Sequence, residues 1–204
     1  TSMNLNTHGW VDDEYWFSRG GMVFQANLQN PVDAYLERGE TRAALRSLYN
    51  NFVSLFYPDV VMMSEEYHMW EHASGPFYKI PDEARLVSQI MDLLIMEKDN
   101  EVWLGKGIPE RWLEPGQKTG LYNVQTRFGK YSYSLAVGDE PHTVTADISL
   151  PDNCPQTSFF VHDPFLKPIQ SVTVNGQEWT KWDASQKMIS LPQNQKTVHL
   201  IVKY

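Results

Sequence analysis

The sequence predicts an α+β chain in two parts: helical hairpins over residues 1–115, then an antiparallel β-sandwich over residues 116–204. Three observations carry this reading. Apolar residues recur at helical spacing through two long stretches, 40–57 and 81–97. Beyond Glu114-Pro115-Gly116 the alternation drops to two, with turn residues between short runs. No internal repeat and no low-complexity linker separates the halves, so the boundary falls close to Glu114–Gln117 and the two parts are expected to pack tightly.

In chain order, residues 4–12 are polar. Asp12 is a fair N-cap for a helix over 13–29, whose middle is weakened by Gly20-Gly21. Asn30-Pro31 opens a short helix that stops at Gly39. The clearest helix is 40–57, where Leu45, Leu48, Tyr49, Phe52, Leu55 and Phe56 form one apolar face before Pro58 ends it. After the stretch 60–79, Pro81-Asp82-Glu83 starts a helix that runs to Glu97. Leu86, Val87, Ile90, Met91, Leu93, Leu94, Ile95 and Met96 make it apolar all round, which predicts burial from several sides. Val102–Leu104 is strand-like, and Glu110–Leu113 suits a single helical turn. Strands are then expected near 119–127, 131–137, 142–150, 157–162, 170–175, 187–191 and 196–203, with Asn175-Gly176 as a two-residue hairpin turn.

Composition excludes several functions. The chain has 204 residues, a net charge of -8 and scattered basic residues, so neither nucleic acid nor an anionic membrane is expected as a partner. One cysteine, Cys154, excludes an internal disulfide and a cysteine-rich zinc site. No apolar run reaches the ~20 residues of a membrane span, and the start of the sequence does not read as a signal peptide. Gly105-Lys106-Gly107 lacks the spacing of a phosphate loop, and no nucleophile-elbow pattern occurs. The many rings (seven Trp, ten Tyr, nine Phe) suit a carbohydrate or apolar-ligand binder, or simply a ring-filled core.

The chemistry concentrates in Val60–Lys79. This stretch holds Glu65, Glu66 and Glu71, His68 and His72, and Tyr67, Trp70, Phe77 and Tyr78. With Gly75-Pro76 as a turn and no simple apolar period, it reads as a loop lining a cleft. Carboxylates serve as acid and base at a glycosidic bond, and flat rings stack on sugar faces. His68 and His72 are four apart, but His-Met-Trp-Glu-His is not the zinc-protease pattern, and neither a metal nor another cofactor is expected. Glu65 and Glu66 are adjacent and point opposite ways in an extended segment, so one acid of a pair comes from here and its partner from elsewhere.

Several segments carry a resemblance. They are Ser74-Gly-Pro-Phe77, the helix end Asp92–Glu97, the run Trp103–Gly116 containing GIPERWLEPG, TRFGKYSY at Thr126–Tyr133, and Ile169–Trp179. Together they resemble the C-terminal portion of the bacterial six-hairpin glycosidases, (α/α)6-toroid enzymes with a terminal β-sandwich. The likeness covers nearly the whole chain but only the last third or so of a full enzyme.

The resemblance implies that residues 1–115 are the last hairpins of the toroid. It implies O-glycosyl hydrolysis of a poly- or oligosaccharide, with a late toroid loop supplying the base and an earlier hairpin, absent here, supplying the acid. Glu66 or Glu65 is then the candidate base, Glu66 preferred because it adjoins the aromatic run. Trp70, His68, Glu71, Trp10 and Tyr15 are candidate sugar-binding residues. The parent protein is expected to be periplasmic or secreted. The remainder of the toroid, or another copy of the chain, is expected to cover the helices, and the chain alone is expected to be inactive. The alternative is a non-catalytic carbohydrate-binding or structural module.

Overall fold

The computed structural model describes residues 22–24, 31–57, 59, 61–63, 66–68, 72–74, 80–162 and 164–204. It divides into two compact units, Thr1–Asp92 and Leu93–Tyr204. The class is α+β, with three α-helices among the described residues and extensive sheet.

In the first unit, helix α1 (Val32–Glu37) buries Val32, Tyr35 and Leu36 and packs on α2 (Thr41–Leu55). Gly39 follows α1 with φ +76, the left-handed conformation that lets the chain reverse into α2. Strands β2 (Phe56–Tyr57) and β3 (Met62–Met63) pair antiparallel directly after α2, and Phe52 stacks on Phe56 at 4.5 Å. A separate three-stranded antiparallel sheet has β4 (Glu66–His68) between β1 (Met22–Phe24) and β5 (His72–Ser74). Helix α3 (Ile80–Leu94) closes the unit.

Two sequence expectations are corrected here. Met22–Phe24 is a strand, not part of a helix over 13–29: Gly20-Gly21 breaks helical propensity just before it, and pairing with β4 satisfies its backbone. The stretch 60–79 is not wholly a loop, because β3, β4 and β5 lie within it. Their ladder hydrogen bonds prevail over an amino-acid pattern with no clean alternation.

The helix faces also differ from expectation. On α2 the buried residues are Ala44, Ser47, Leu48 and Asn51, which turns the inward face about a quarter turn away from the Leu45–Phe52 stripe. On α3 they are Asp82, Leu86, Gln89 and Leu93, while Ile80, Val87 and Ile90 face solvent. Burial on several sides is therefore not what α3 achieves.

The second unit is a sandwich. It begins with a hairpin of β6 (Ile95–Lys98) and β7 (Glu101–Leu104) across Asp99-Asn100, so helical structure ends at Leu94 rather than Glu97. Asp99 takes φ +46, a conformation Asp tolerates better than most residues. A one-turn 3-10 helix, Glu110–Leu113, follows. The sequence places the change from helical to strand pattern near residue 115; β6 and β7 belong to the second unit and join its sheet before that point.

The remaining strands are β8 (Lys118–Thr126), β9 (Gly129–Val137), β10 (Thr143–Ser149), β11 (Gln156–Phe160), β12 (Ser171–Val174), β13 (Gln177–Glu178), β14 (Trp182–Asp183), β15 (Met188–Ser190) and β16 (Thr197–Lys203). One sheet has the order β13-β12-β16-β10-β9-β8, the other β14-β15-β11-β7-β6. All pairs are antiparallel except β7 with β11, which are parallel. Asn175-Gly176 forms the expected hairpin turn, with φ +50 and +78.

The two sheets meet through their inward rows. Tyr131, Tyr133, Val144, Ala146, Phe159, Ile189 and Leu200 are buried among them. Tyr133 meets Phe159 edge-on at 5.3 Å, and its hydroxyl donates to the Leu94 carbonyl at 3.0 Å. Burial pushes both tyrosine hydroxyls well above their usual titration range, so they stay protonated donors.

Gly105 and Gly107 serve this packing rather than phosphate binding. Their N–H groups donate to the Leu94 and Leu93 carbonyls at 2.8 and 2.9 Å. A β-carbon on Gly107 would stand 2.7 Å from Leu93 Cα. Gly107→Ala should cost about 1–3 kcal/mol through this overpacking. Thermal or urea unfolding of the variant checks it, with Gly116→Ala as the control. Gly116 has φ +84, but a β-carbon there would meet no heavy atom within 4 Å, so conformational strain alone, about 1 kcal/mol, applies.

Candidate functional site

The candidate base Glu66 and the candidate sugar-contact residue His68 both lie on β4, the middle strand of the three-stranded sheet. Glu66 pairs in register with Phe24 and Ser74, and His68 with Met22 and His72. By backbone register, positions 66, 68, 72 and 74 therefore share one face of the sheet and position 67 takes the other. Helix α2 packs on β4 and β5. The helix face carrying Ser47 and Asn51 is fully buried. Glu65, Trp70, Glu71, Trp10 and Tyr15 lie outside the described residues.

A central strand is a firmer mount for a carboxylate than a loop, because both edges of its backbone are hydrogen-bonded and its φ/ψ are fixed. The residue types at these four positions, a glutamate, two histidines and a serine, are ones that can bind hydroxyls and move a proton. Among the described residues no three His, Cys, Asp or Glu side chains converge as metal ligands. No helix among them is long and apolar enough to cross a membrane.

Asp92, near the end of α3, is a second carboxyl of note, and one that the sequence motifs do not single out. Its pKa is pushed up to about 6, first by burial, then by the Asp33 carboxylate, with Arg85 opposing. Arg85 donates to Asp33 Oδ1 at 3.1 Å, so α1 and α3 share one charge cluster. The signal available in the sequence is an aspartate set against Leu93-Leu94-Ile95, where a carboxylate is poorly solvated.

No family model matches the chain, and no curated protein does. A solved structure described as "Glycoside hydrolase" aligns with a TM-score of 0.43 and 13% identity over 87% of this chain. The chain spans 31% of that protein's length.

The Asp92 environment gives a pH prediction. The folded state holds the proton more tightly than the unfolded chain, whose carboxyl titrates near 3.8. The cost of ionising Asp92 is thus absent below pH 4, grows as pH rises, and is complete above about pH 6. Asp92→Asn should stabilise the helical unit above pH 6 by about 1–2 kcal/mol, after discounting for partial exposure, and leave it unchanged below pH 4. Denaturation curves at pH 4 and pH 7.5 decide it; equal gains at both would contradict the buried-carboxyl account.

Proposed function

We propose that this chain is the C-terminal part of a six-hairpin glycoside hydrolase, contributing the base side of a glycosidic cleft and the terminal sandwich. The observation that carries the reading is the mixed polarity of its two long helices. Their inward faces hold the fully buried Ser47, Asn51, Asp82 and Gln89 beside Ala44, Leu48, Leu86 and Leu93, while Val53 (78% exposed), Ile80 and Val87 (61%) face outward. A helical unit complete in itself buries the second set and exposes the first. An arrangement in which further helices pack on the outer faces accounts for both. The glycosidic chemistry is supported by the likeness of the segments 103–116 and 126–133 to that family and by Glu66 on its hydrogen-bonded strand.

In this reading Glu66 or Glu65 accepts a proton from water as the water attacks the anomeric carbon, while an acid from the rest of the enzyme protonates the leaving oxygen. Inversion needs the two carboxyls about 6.5–9.5 Å apart, retention about 5–5.5 Å. Neighbouring histidines and rings would hold the sugar hydroxyls and faces. The substrate is an oligo- or polysaccharide, and the covering partner is the rest of the toroid or a second copy of the chain.

The chain by itself should turn over no aryl glycoside, because one wall cannot supply both acid and base. The parent enzyme should lose roughly 10²–10⁴-fold in kcat on Glu66→Gln or Glu65→Gln, whichever is the base, with KM little changed. Turnover by the isolated chain that a single Glu substitution abolishes, or full parental activity in both variants, would overturn the assignment.

A further inference from the structure

We infer that the outer face of the six-stranded sheet is a binding trough for a neutral oligosaccharide, lined by residues of the second unit. Strand register lays two rows, one across three strands and one across four. Ser132 stands opposite Ser149, and Ser149 opposite Thr197. In the next row Gly120 faces Ser134, Ser134 faces Asp147, and Asp147 faces His199. On β9, β10 and β16 the inward neighbours Tyr133, Ile148 and Leu200 are buried.

Three features make the face a site rather than a flat solvated sheet. It forms a shallow, open hollow of about 660 Å3. Gly120 and the serines leave the floor low, and the four strands at about 4.8 Å spacing set it roughly 14 Å across, the span of about three sugar rings. At the rim, β8 carries a bulge between Leu121 and Val124, with Asn123 at φ +53 and its N–H donating to Ser132 Oγ at 2.8 Å. The bulge sets Tyr122 out from the sheet, 83% exposed. Bulges of this kind re-aim a side chain beside binding sites, and an exposed ring at a polar rim suits stacking on the C–H face of a sugar.

On the far side the polar groups are held in place. His199 Nδ1 meets Asp147 Oδ1 at 2.7 Å, and Asn175 Oδ1 accepts the His199 N–H at 2.7 Å. Asn175 Nδ2 in turn donates to Gln195 Oε1 at 2.6 Å. A carboxylate so oriented keeps capacity for further hydroxyl donors. The lining holds Lys118 and Asp147 as formal charges of opposite sign and no arginine. That balance fits a neutral polyol and lacks the guanidinium fork that recognises phosphate or carboxylate.

The full chain should be titrated calorimetrically with β-1,4-xylohexaose, cellohexaose, β-1,4-mannohexaose and α-1,5-arabinohexaose, with hexagalacturonate as the anionic comparison. At least one neutral probe should bind with Kd of about 10 μM to 1 mM. Tyr122→Ala should weaken that binding about tenfold, and Ser134→Trp, which fills the hollow, should abolish it. Backbone amide shifts on the wild-type chain should cluster at Ser132, Ser134, Asp147, Thr197 and His199, which decides the question even if a variant unfolds. These shifts lie in the second unit, so loss of the glycosidase reading, which concerns Glu66 and Glu65, would not touch this one. No binding of any neutral probe at millimolar concentration, shifts confined to other residues, or tighter binding of hexagalacturonate would overturn it.

Discussion

The alternation of Tyr131-Ser132-Tyr133-Ser134 on β9 is the constraint on which the second unit depends. Side chains along a strand point to opposite faces, so a slip of one residue would exchange the whole set. Tyr133 prevents the slip: its ring sits edge-on against Phe159 of the facing sheet and its hydroxyl holds the Leu94 carbonyl. Tyr131 reaches the Thr157 hydroxyl at 3.4 Å from the same side. With both tyrosines committed inward, Ser132 and Ser134 must face out, opposite Ser149 and Asp147. The core and the outer polar face are thus two consequences of one register.

The described helices of the first unit are built differently. They bury amides, a serine and a carboxylate beside Ala44, Leu48, Leu86 and Leu93, and each of those polar residues takes part in an interaction. Buried polar groups must be partnered, and they contribute less to stability than apolar packing of the same volume. The aliphatic side chains at Val53, Ile80, Val87 and Ile90 meanwhile meet solvent. Under the proposed function these outward apolar faces would pack against further helices.

The sandwich is legible in the sequence because period-two alternation and turn residues act locally. The long strands β8, β9, β10 and β16 begin and end within one or two residues of the positions expected from sequence, and Asn175-Gly176 turns as its side-chain chemistry dictates. Ile95–Glu97 reads as helix because an unbroken apolar run cannot distinguish a helix end from a buried strand, and pairing with β7 decides it. Met22–Phe24 and the strands within 60–79 escape sequence patterning because short sheets are specified by partners distant in sequence. Of the candidate site, the register of Glu66 and His68 is defined, and the remaining named residues lie outside the described set. The segments that carry the family likeness perform structural work: Ile108 and Leu113 are buried, Gly107 lies against Leu93, and Tyr131 and Tyr133 fill the core. Such residues identify a fold more directly than they identify chemistry.

The central claim is that the helical unit is built to be covered. Multi-angle light scattering of the purified chain over a range of concentrations, with an apolar dye added in parallel, tests it most directly. The account predicts concentration-dependent association or strong dye binding, both reduced when Val53 and Val87 are replaced by lysine. A dye-silent monomer at all concentrations, with its helical signal intact, would contradict it.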